Sequence, residues 1–257
     1  MKKYIPINYI INSPVAITID VIGAGGLGSA LVTELGSLNL ALRELGHSGL
    51  FVRLYDPKKV ADHNTGRQRF SRADVGRYKA DVIIERINRF YGTGWISNNV
   101  YYDCETPYKA NIIVTCPDSA PLRYRVGQVM SNKRHKNAMN INPDKALYWL
   151  DLGNGDTYGQ AILGTIYSDK LPTVYDMYGD QLKEDNPDEP SCSMRESLER
   201  QDLFINKEVA IDGAKLLWNL MYKKVTGMDH HGYFTNQKTG VKRPIKVPLE
   251  ESKLQEA

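Results

Sequence analysis

A run of branched apolar residues at 16–22 predicts a buried strand near the start of the chain. Four glycines follow it directly, and leucines then recur every three or four positions. That spacing places the leucines on one face of an amphipathic helix. The pattern therefore predicts a strand, a tight glycine turn and a helix, carried by Gly23, Gly25, Gly26 and Gly28 and by Leu27, Leu31, Leu35, Leu38, Leu42 and Leu45.

Apolar runs and helical periodicities alternate along the rest of the chain. The runs predict strands at 50–55, 111–116, 146–150 and 160–167 and an edge strand at 100–102. The periodicities predict helices at 75–90, 121–132 and 194–222, and the tail predicts a hairpin at 233–247 that turns at 238–240. Strands that alternate with helices predict an α/β fold, a doubly wound Rossmann-like sheet that is mostly parallel.

The composition of the chain changes at 169–190, where three prolines and seven acidic residues occur among few aliphatic ones. We expect an exposed crossover segment there. The predicted organisation is an N-terminal arm at 1–14, a nucleotide-binding core at 15–168, the acidic crossover at 169–190, and a C-terminal helix and hairpin at 191–257 that complete the same domain.

Composition excludes several classes of function. The 257 residues are 42% hydrophobic and 25% charged, which is typical of a soluble globular protein. A net charge of +3 is too small to indicate nucleic-acid binding, and no apolar stretch is typical of a membrane span. The three cysteines form no CxxC pair, which favours a reducing cytoplasm and argues against a four-cysteine zinc site.

The glycine turn and the end of the second strand indicate a nucleotide site. Gly23, Gly25 and Gly28 have the spacing of dinucleotide-binding turns, in which helix N–H groups face a phosphate. Asp56 follows the second strand, where a carboxylate can accept from the hydroxyls of a ribose. Asp56 can instead form a turn before Pro57, and a ribose-binding role fits NAD as well as ATP.

A set of motifs after Asp56 separates these options. Asp-x-x-x-Val at 56–60 precedes Asn-x-x-Arg-Gln at 64–68 and Val-Gly-x-x-Lys at 75–79; Thr-Cys-Pro-Asp then occurs at 115–118, shortly before Arg123. In this order, over residues 18–125, the motifs resemble the ThiF/MoeB superfamily, the adenylating domain shared with ubiquitin-activating enzymes.

The resemblance implies a reaction and a set of roles. A C-terminal carboxylate of a small ubiquitin-like β-grasp protein ending in Gly-Gly attacks the α-phosphate of ATP. Arg67 and Lys79 hold phosphate oxygens, Asp118 holds Mg²⁺, and Asn64 is a polar residue near the phosphates. The resemblance also implies a homodimer. In many relatives a basic residue from the N-terminal arm of the partner subunit completes the ATP site, but residues 1–14 of this chain contain no arginine that could do so.

Cys192 is a second candidate site. Ser193 and Glu196 form a capping box, so Cys192 lies just before a predicted helix, where the dipole lowers the pKa of a thiol. In relatives a cysteine after the adenylating core receives the acyl group as a thioester or takes part in sulfur transfer. The alternative for Cys192 is a small buried hydrophobic residue.

The segment 191–210 resembles more narrowly the ThiF-related proteins of the PRTRC cassette. We expect Cys104 and Cys116 to be structural residues in strands, and adjacent His230 and His231 to lie in a loop rather than to bind a metal. Two other functions stay open: a Rossmann oxidoreductase that binds NAD, and a catalytically silent protein that binds a nucleotide for assembly.

Overall fold

Eight strands of the described residues form one sheet. The structure is a computed structural model, and it describes residues 3–66, 68–104, 110–116, 120–137, 145–184, 202–222, 224 and 226–248. The strands are β1 (Ile17–Ile22), β2 (Leu50–Tyr55), β3 (Ile96–Asn98), β4 (Ile112–Thr115), β5 (Tyr148–Asn154), β6 (Tyr158–Thr165), β7 (His230–Asn236) and β8 (Val241–Lys246).

The order of the strands is β3-β2-β1-β4-β5-β6-β7-β8. Strands β1 to β5 run parallel, and β6, β7 and β8 continue the sheet in antiparallel pairs. The strand order changes direction at β1, because β2 lies on one side of it and β4 on the other. Doubly wound sheets bind their ligands in the crevice at the carboxyl ends of the strands that meet at such a point. The predicted fold class is confirmed.

Helices cover the sheet where their apolar faces can be buried. They are α1 (Asn8–Asn12), α2 (Gly26–Glu44), α3 (Lys79–Tyr91), α4 (Ala120–Asn137), α5 (Val174–Glu184) and α6 (Ile205–Met221). The leucine face of α2 is buried and belongs to the same core as the apolar residues of α6. Gly213 permits the close packing of α6 on β5, because a Cβ there would lie 2.8 Å from Leu152.

Several predicted boundaries are wrong. The edge strand is Ile96–Asn98 rather than 100–102, and α3 begins at Lys79 because residues 72–78 form a 3-10 turn and a β-bridge from Tyr78 to Lys59. Helix α5 lies inside the segment expected to be an exposed crossover, with Val174 and Leu182 buried. The end of that segment, 185–190, and the predicted helix start at 194 lie outside the described residues.

The C-terminal hairpin is confirmed, with its turn at 237–240 between β7 and β8. The expectation of a loop at His230 and His231 is wrong, because both residues belong to β7. His231 is buried and its Nδ1 donates to the carbonyl of Leu163 at 2.9 Å. In the described part of the chain, no helix is long and apolar enough to cross a membrane.

Candidate nucleotide-binding site

The glycine turn joins β1 to α2, and the backbone at its start lies close to the backbone of the first turn of α2. Gly23 has a φ of 97°, a left-handed conformation that favours glycine, and its N–H donates to the carbonyl of Tyr55 at 2.8 Å. A Cβ on Gly28 would lie 1.8 Å from the carbonyl oxygen of Gly23. Gly25 is the N-cap of α2 and Gly26 its first residue. The turn therefore presents the unpaired N–H groups of a helix start, which favour an anion.

Asp56 is attached to this turn. It is buried at the end of β2, and its Oδ2 accepts from the N–H of Ala24 at 2.7 Å. Its Oδ1 accepts from the N–H of Lys58 at 2.8 Å. Both contacts come from the backbone, so they orient the carboxylate without cancelling its charge. Each oxygen retains a lone pair for a further donor.

The loop after Asp56 folds back on itself and brings Lys79 to the same edge of the sheet. The backbone N–H of Lys79 donates to the carbonyl of Lys58 at 3.0 Å, and the N–H of Val60 donates to the carbonyl of Arg77 at 2.9 Å. The backbone of Lys58 therefore connects Asp56 with the first residue of α3, because its N–H donates to the Asp56 carboxylate and its carbonyl accepts from the N–H of Lys79. The Lys79 side chain is buried, and its Nζ donates to Oε1 of Gln68 at 3.2 Å.

Asn64 and the residues after it connect this loop to the glycine turn. The buried Asn64 side chain accepts from the N–H of Ala61 at 2.9 Å and so stabilises the 3-10 turn Asp62–Asn64. The N–H of Arg69 then donates to Oγ of Ser29, in the first turn of α2, at 3.4 Å. The segment 64–69 is thus anchored next to the start of α2.

A cleft of about 140 Å³ lies beside Asp56. The glycine turn and the segment 100–102 form opposite parts of its lining. Tyr102 is held in place because its hydroxyl donates to Asp20 at 3.2 Å and its ring packs edge-on against Tyr55. Tyr101 is 81% exposed. The lining residues are Ile22, Gly23, Gly25, Tyr55, Asp56, Pro57, Lys58, Val100, Tyr101, Tyr102, Cys116 and Leu122.

The sequence-predicted site residues fall into two sets. The described ones are the four glycines, Asp56, Asn64 and Lys79, and the structure places all of them at the carboxyl edge of the parallel strands or in the loop anchored there. The others, Arg67, Asp118 and Cys192, lie outside the described residues. Cys104 and Cys116 are buried, and neither forms a disulfide with a described residue; Cys104 lies in a loop rather than a strand.

Sequence reasoning did not single out three features of the site as functional. Gln68 contacts Lys79, and its signal was its place in the Asn-x-x-Arg-Gln motif. Tyr101 belongs to the predicted edge strand at 100–102, and no local signal indicates that it lines a cleft. Asp151 interrupts an apolar run, and no local pattern indicates which residue compensates its charge.

Comparison with known proteins bears on this geometry. The ThiF family profile matches residues 15–199, which is more than half of the chain. The chain belongs to the ThiF family. The glycine turn, Asp56, Asn64 and Lys79 of this ThiF-family chain all fall within the matched region.

Solved structures support the same fold at low sequence identity. E. coli MccB matches with a TM-score of 0.61 and 14% identity over 93% of this chain and 63% of that one. MccB with AMPCPP and MccA matches with a TM-score of 0.60 and 14% identity over 91% and 65%. Selenomethionine PaaA matches with a TM-score of 0.58 and 13% identity over 90% and 64%.

This ThiF-family chain spans less than two thirds of the length of each of those three chains. No curated protein sequence matches it.

Proposed function

We propose that this chain is an ATP-dependent adenylyltransferase that activates a carboxylate at the end of a peptide or small protein. The observation that carries the proposal is the attachment of Asp56 to the glycine turn and, through Lys58, to Lys79. The carboxylate of Asp56, the first N–H groups of α2 and Lys79 thus lie at one edge of the sheet, which supports a nucleotide site there. Membership of the ThiF family and the fold shared with MccB support it.

The proposed reaction forms one bond and breaks one. A carboxylate oxygen of the acceptor attacks the α-phosphorus of ATP, and the bond from that phosphorus to the bridging oxygen of pyrophosphate breaks. The products are an acyl-adenylate and pyrophosphate. Catalysis of such a displacement depends on positioning the reactants and on stabilising the charge that develops on the phosphoryl oxygens.

Each residue has a proposed role in that reaction. The N–H groups after Gly25 face the phosphates, and Asp56 accepts from the ribose hydroxyls. Lys79 and Arg67 neutralise phosphate oxygens, and Asn64 holds the loop that carries Arg67. The exposed ring of Tyr101 stacks on the base at the mouth of the cleft.

Mg²⁺ is proposed as the metal, because nucleotide sites hold it with one or two carboxylates and the phosphates themselves. Within the described residues, no group of three or more His, Cys, Asp or Glu side chains could hold a metal ion. The proposed carboxylate ligand is Asp118, as the superfamily resemblance implies, and ATP oxygens and water would complete the coordination.

The proposed acceptor is a small ubiquitin-like β-grasp protein that ends in Gly-Gly, as the superfamily resemblance implies. For this chain the small proteins of a PRTRC cassette are the first candidates. The solved structure that contains MccB together with AMPCPP and MccA supports the general idea of a peptide or small-protein partner. We further propose a homodimer in the cytoplasm. We also propose that the thiolate of Cys192, after losing its proton to solvent, attacks the acyl carbon of the adenylate, so that a thioester forms, the bond from that carbon to the phosphate oxygen breaks and AMP leaves.

ATP–pyrophosphate exchange tests the proposal. The chain is incubated with ATP, Mg²⁺ and labelled pyrophosphate, together with each small protein encoded beside its gene. Label should enter ATP only with the true acceptor, and an acceptor shortened by its last two residues serves as the control. Binding of NADH without binding of ATP would instead indicate an oxidoreductase, and ATP binding without exchange would indicate the silent assembly protein.

A further inference from the structure

A chain of polar contacts is buried next to the cleft, at the carboxyl end of β4 and in the part of β5 that pairs with it. Nε1 of Trp149 donates to Oγ1 of Thr115 at 2.8 Å, and that hydroxyl donates to Oδ1 of Asp151 at 2.5 Å. The guanidinium of Arg123, from α4, lies on the other side, with Nε 3.2 Å from the same oxygen. We call these four residues the Asp151 network.

The network is costly for a purely structural contact. Asp151 has no exposed surface, and its Oδ2 has no hydrogen-bond partner among the described residues. Burial raises the pKa of the Asp151 carboxyl, while Arg123 and Thr115 oppose that rise. A buried ion pair rarely stabilises a fold more than apolar side chains of similar volume do. Stability alone therefore does not account for a charge at this position.

Arg123 is held in a defined place by more than its charge. Its Nη2 donates to the carbonyl of Leu152 at 2.9 Å. A Cβ on Gly153 would lie 3.0 Å from Nη1, so the absence of a side chain at 153 lets the guanidinium lie against the end of β5. The network thus ties the first turns of α4 to both strands.

The residues next to the network form part of the nucleotide cleft. Cys116 follows Thr115, Leu122 precedes Arg123, and both line the cleft that contains Asp56 and the glycine turn. The N–H of Cys116 also donates to the carbonyl of Ile22 at 2.9 Å, which joins this wall to the end of β1. A shift of α4 relative to β4 and β5 would therefore change the shape of the cleft.

We propose that Asp151 and Arg123 are positioning residues that fix the α4 wall of the nucleotide cleft. This role rests on the proposed function, because it requires ATP to occupy that cleft. Neither residue needs to touch the nucleotide. The charge pair lowers the stability of the fold but holds α4 in one defined position. An apolar pair of similar volume would allow α4 a wider range of positions.

The test replaces the ion pair with apolar side chains, in the double variant Asp151→Leu with Arg123→Met. Isothermal calorimetry measures the dissociation constant for ATP with Mg²⁺, and urea unfolding measures stability. We expect ATP to bind at least 10-fold more weakly while the unfolding midpoint stays the same or rises. A structural role would lower the midpoint and leave the dissociation constant of the folded protein unchanged.

The matched control is Asp212→Leu with Lys242→Met, which removes a buried carboxylate and its lysine between α6 and β8. ATP binding should not change in this variant. Gly153→Ala keeps both charges and displaces only the guanidinium, so it should weaken ATP binding in the same direction even if the double variant does not fold.

An ATP affinity within threefold of the natural chain, in either the folded double variant or Gly153→Ala, would overturn the proposal. Absence of ATP binding by the natural chain contradicts the proposed function, and the role of the network falls with it.

Discussion

Asp56 in the parallel half of the sheet and Asp212 beside the antiparallel half are two buried carboxylates that are held in different ways. In the parallel half, the carboxylate of Asp56 accepts from two backbone N–H groups, those of Ala24 and Lys58. In the antiparallel half, Asp212 on α6 forms an ion pair with Lys242 of β8 and accepts from the hydroxyl of Thr235 at 3.1 Å. The first arrangement orients a charge and leaves it uncompensated. The second neutralises a charge and joins two elements.

This difference separates a binding group from a structural one more clearly than burial does, since both carboxylates are buried. A carboxylate held by backbone dipoles keeps its negative charge and its remaining lone pairs for a ligand. A carboxylate paired with lysine has already formed its strongest interaction. We therefore expect substitution of Asp56 to change nucleotide binding and substitution of Asp212 to change stability alone.

The largest expected effect is on the chemical step. Arg67→Ala and Lys79→Ala should each lower the rate of ATP–pyrophosphate exchange by roughly 100-fold or more, because each removes a charge-assisted contact to the reacting phosphates. Exchange kinetics measures this, and circular dichroism checks the fold. Lys242→Ala removes a lysine of the antiparallel half and is the control. Unchanged exchange in both site variants would remove Arg67 and Lys79 from the mechanism.

The next effect is on nucleotide affinity. Asp56→Ala should weaken ATP binding roughly 10- to 100-fold, because hydrogen bonds to a charged group contribute about 1.5–3 kcal/mol. Asp56→Asn, which keeps one acceptor oxygen, should lose less. Calorimetry with ATP and Mg²⁺ measures both variants, and Asp212→Asn is the matched control in the other half. If Asp212→Asn weakened ATP binding as much as Asp56→Ala, the contrast between the halves would not hold.

A smaller effect concerns the pH dependence of stability in the antiparallel half. Burial lowers the pKa of His231 below its ordinary value of 6.5, so folding favours the neutral ring. Its contribution to stability is therefore present above pH 6.5 and is lost as the pH falls through the lowered pKa of the folded protein. The loss is at most about 1.4 kcal/mol per pH unit for one proton.

His231→Asn keeps a side-chain donor that can reach the carbonyl of Leu163 and removes the titration. Urea unfolding between pH 7.5 and 5 should therefore show a steeper loss of stability for the natural chain than for this variant. Equal slopes for the two proteins would show that His231 is not the titrating group.

The smallest effect on adenylation is expected at Cys192, which lies outside the described residues. If its thiol only receives the acyl group after adenylation, Cys192→Ala should leave pyrophosphate exchange nearly unchanged and abolish any thiol-sensitive complex with the acceptor. Cys104 and Cys116 are 3% and 2% exposed, so a brief alkylation should label Cys192 first. Mass spectrometry measures the order of labelling, and equal labelling of all three would favour a structural Cys192.

Much of the parallel half could be predicted from the chain, because its signals are local. The glycine turn follows from the steric freedom that Gly23 requires and from the close approach of Gly28 to it. Strand β2 lies at its predicted bounds of 50–55, since an apolar run between turn residues has few alternatives. The motif at 75–79 indicated Lys79 as a phosphate ligand, yet not that it begins α3.

The errors lie where contacts between distant segments decided the structure. The predicted helix at 75–90 starts late because residues 58–60 pair with 76–79 and withdraw that backbone from the helix. Tyr101 lines the cleft because β3 ends at Asn98 and the residues that follow it share the lining of the cleft with the glycine turn. Helix α5 forms in an acidic stretch because Val174 and Leu182 find an apolar surface to cover.

By itself, the sequence determined the alternation of strands and helices in the parallel part of the sheet, the glycine turn and the acidic residue at the end of β2, because these depend on spacing and on backbone sterics within a few residues. Only the tertiary structure decided the surroundings of Asp151. The apolar run predicted a strand that ended at Leu150, because a charged residue breaks an apolar pattern. The strand continues to Asn154 because its backbone pairs with β6 as far as Gly159, and Arg123 from α4 compensates the charge buried within it. Compensation between residues far apart in the chain requires a fold that brings them together, and no local pattern encodes it.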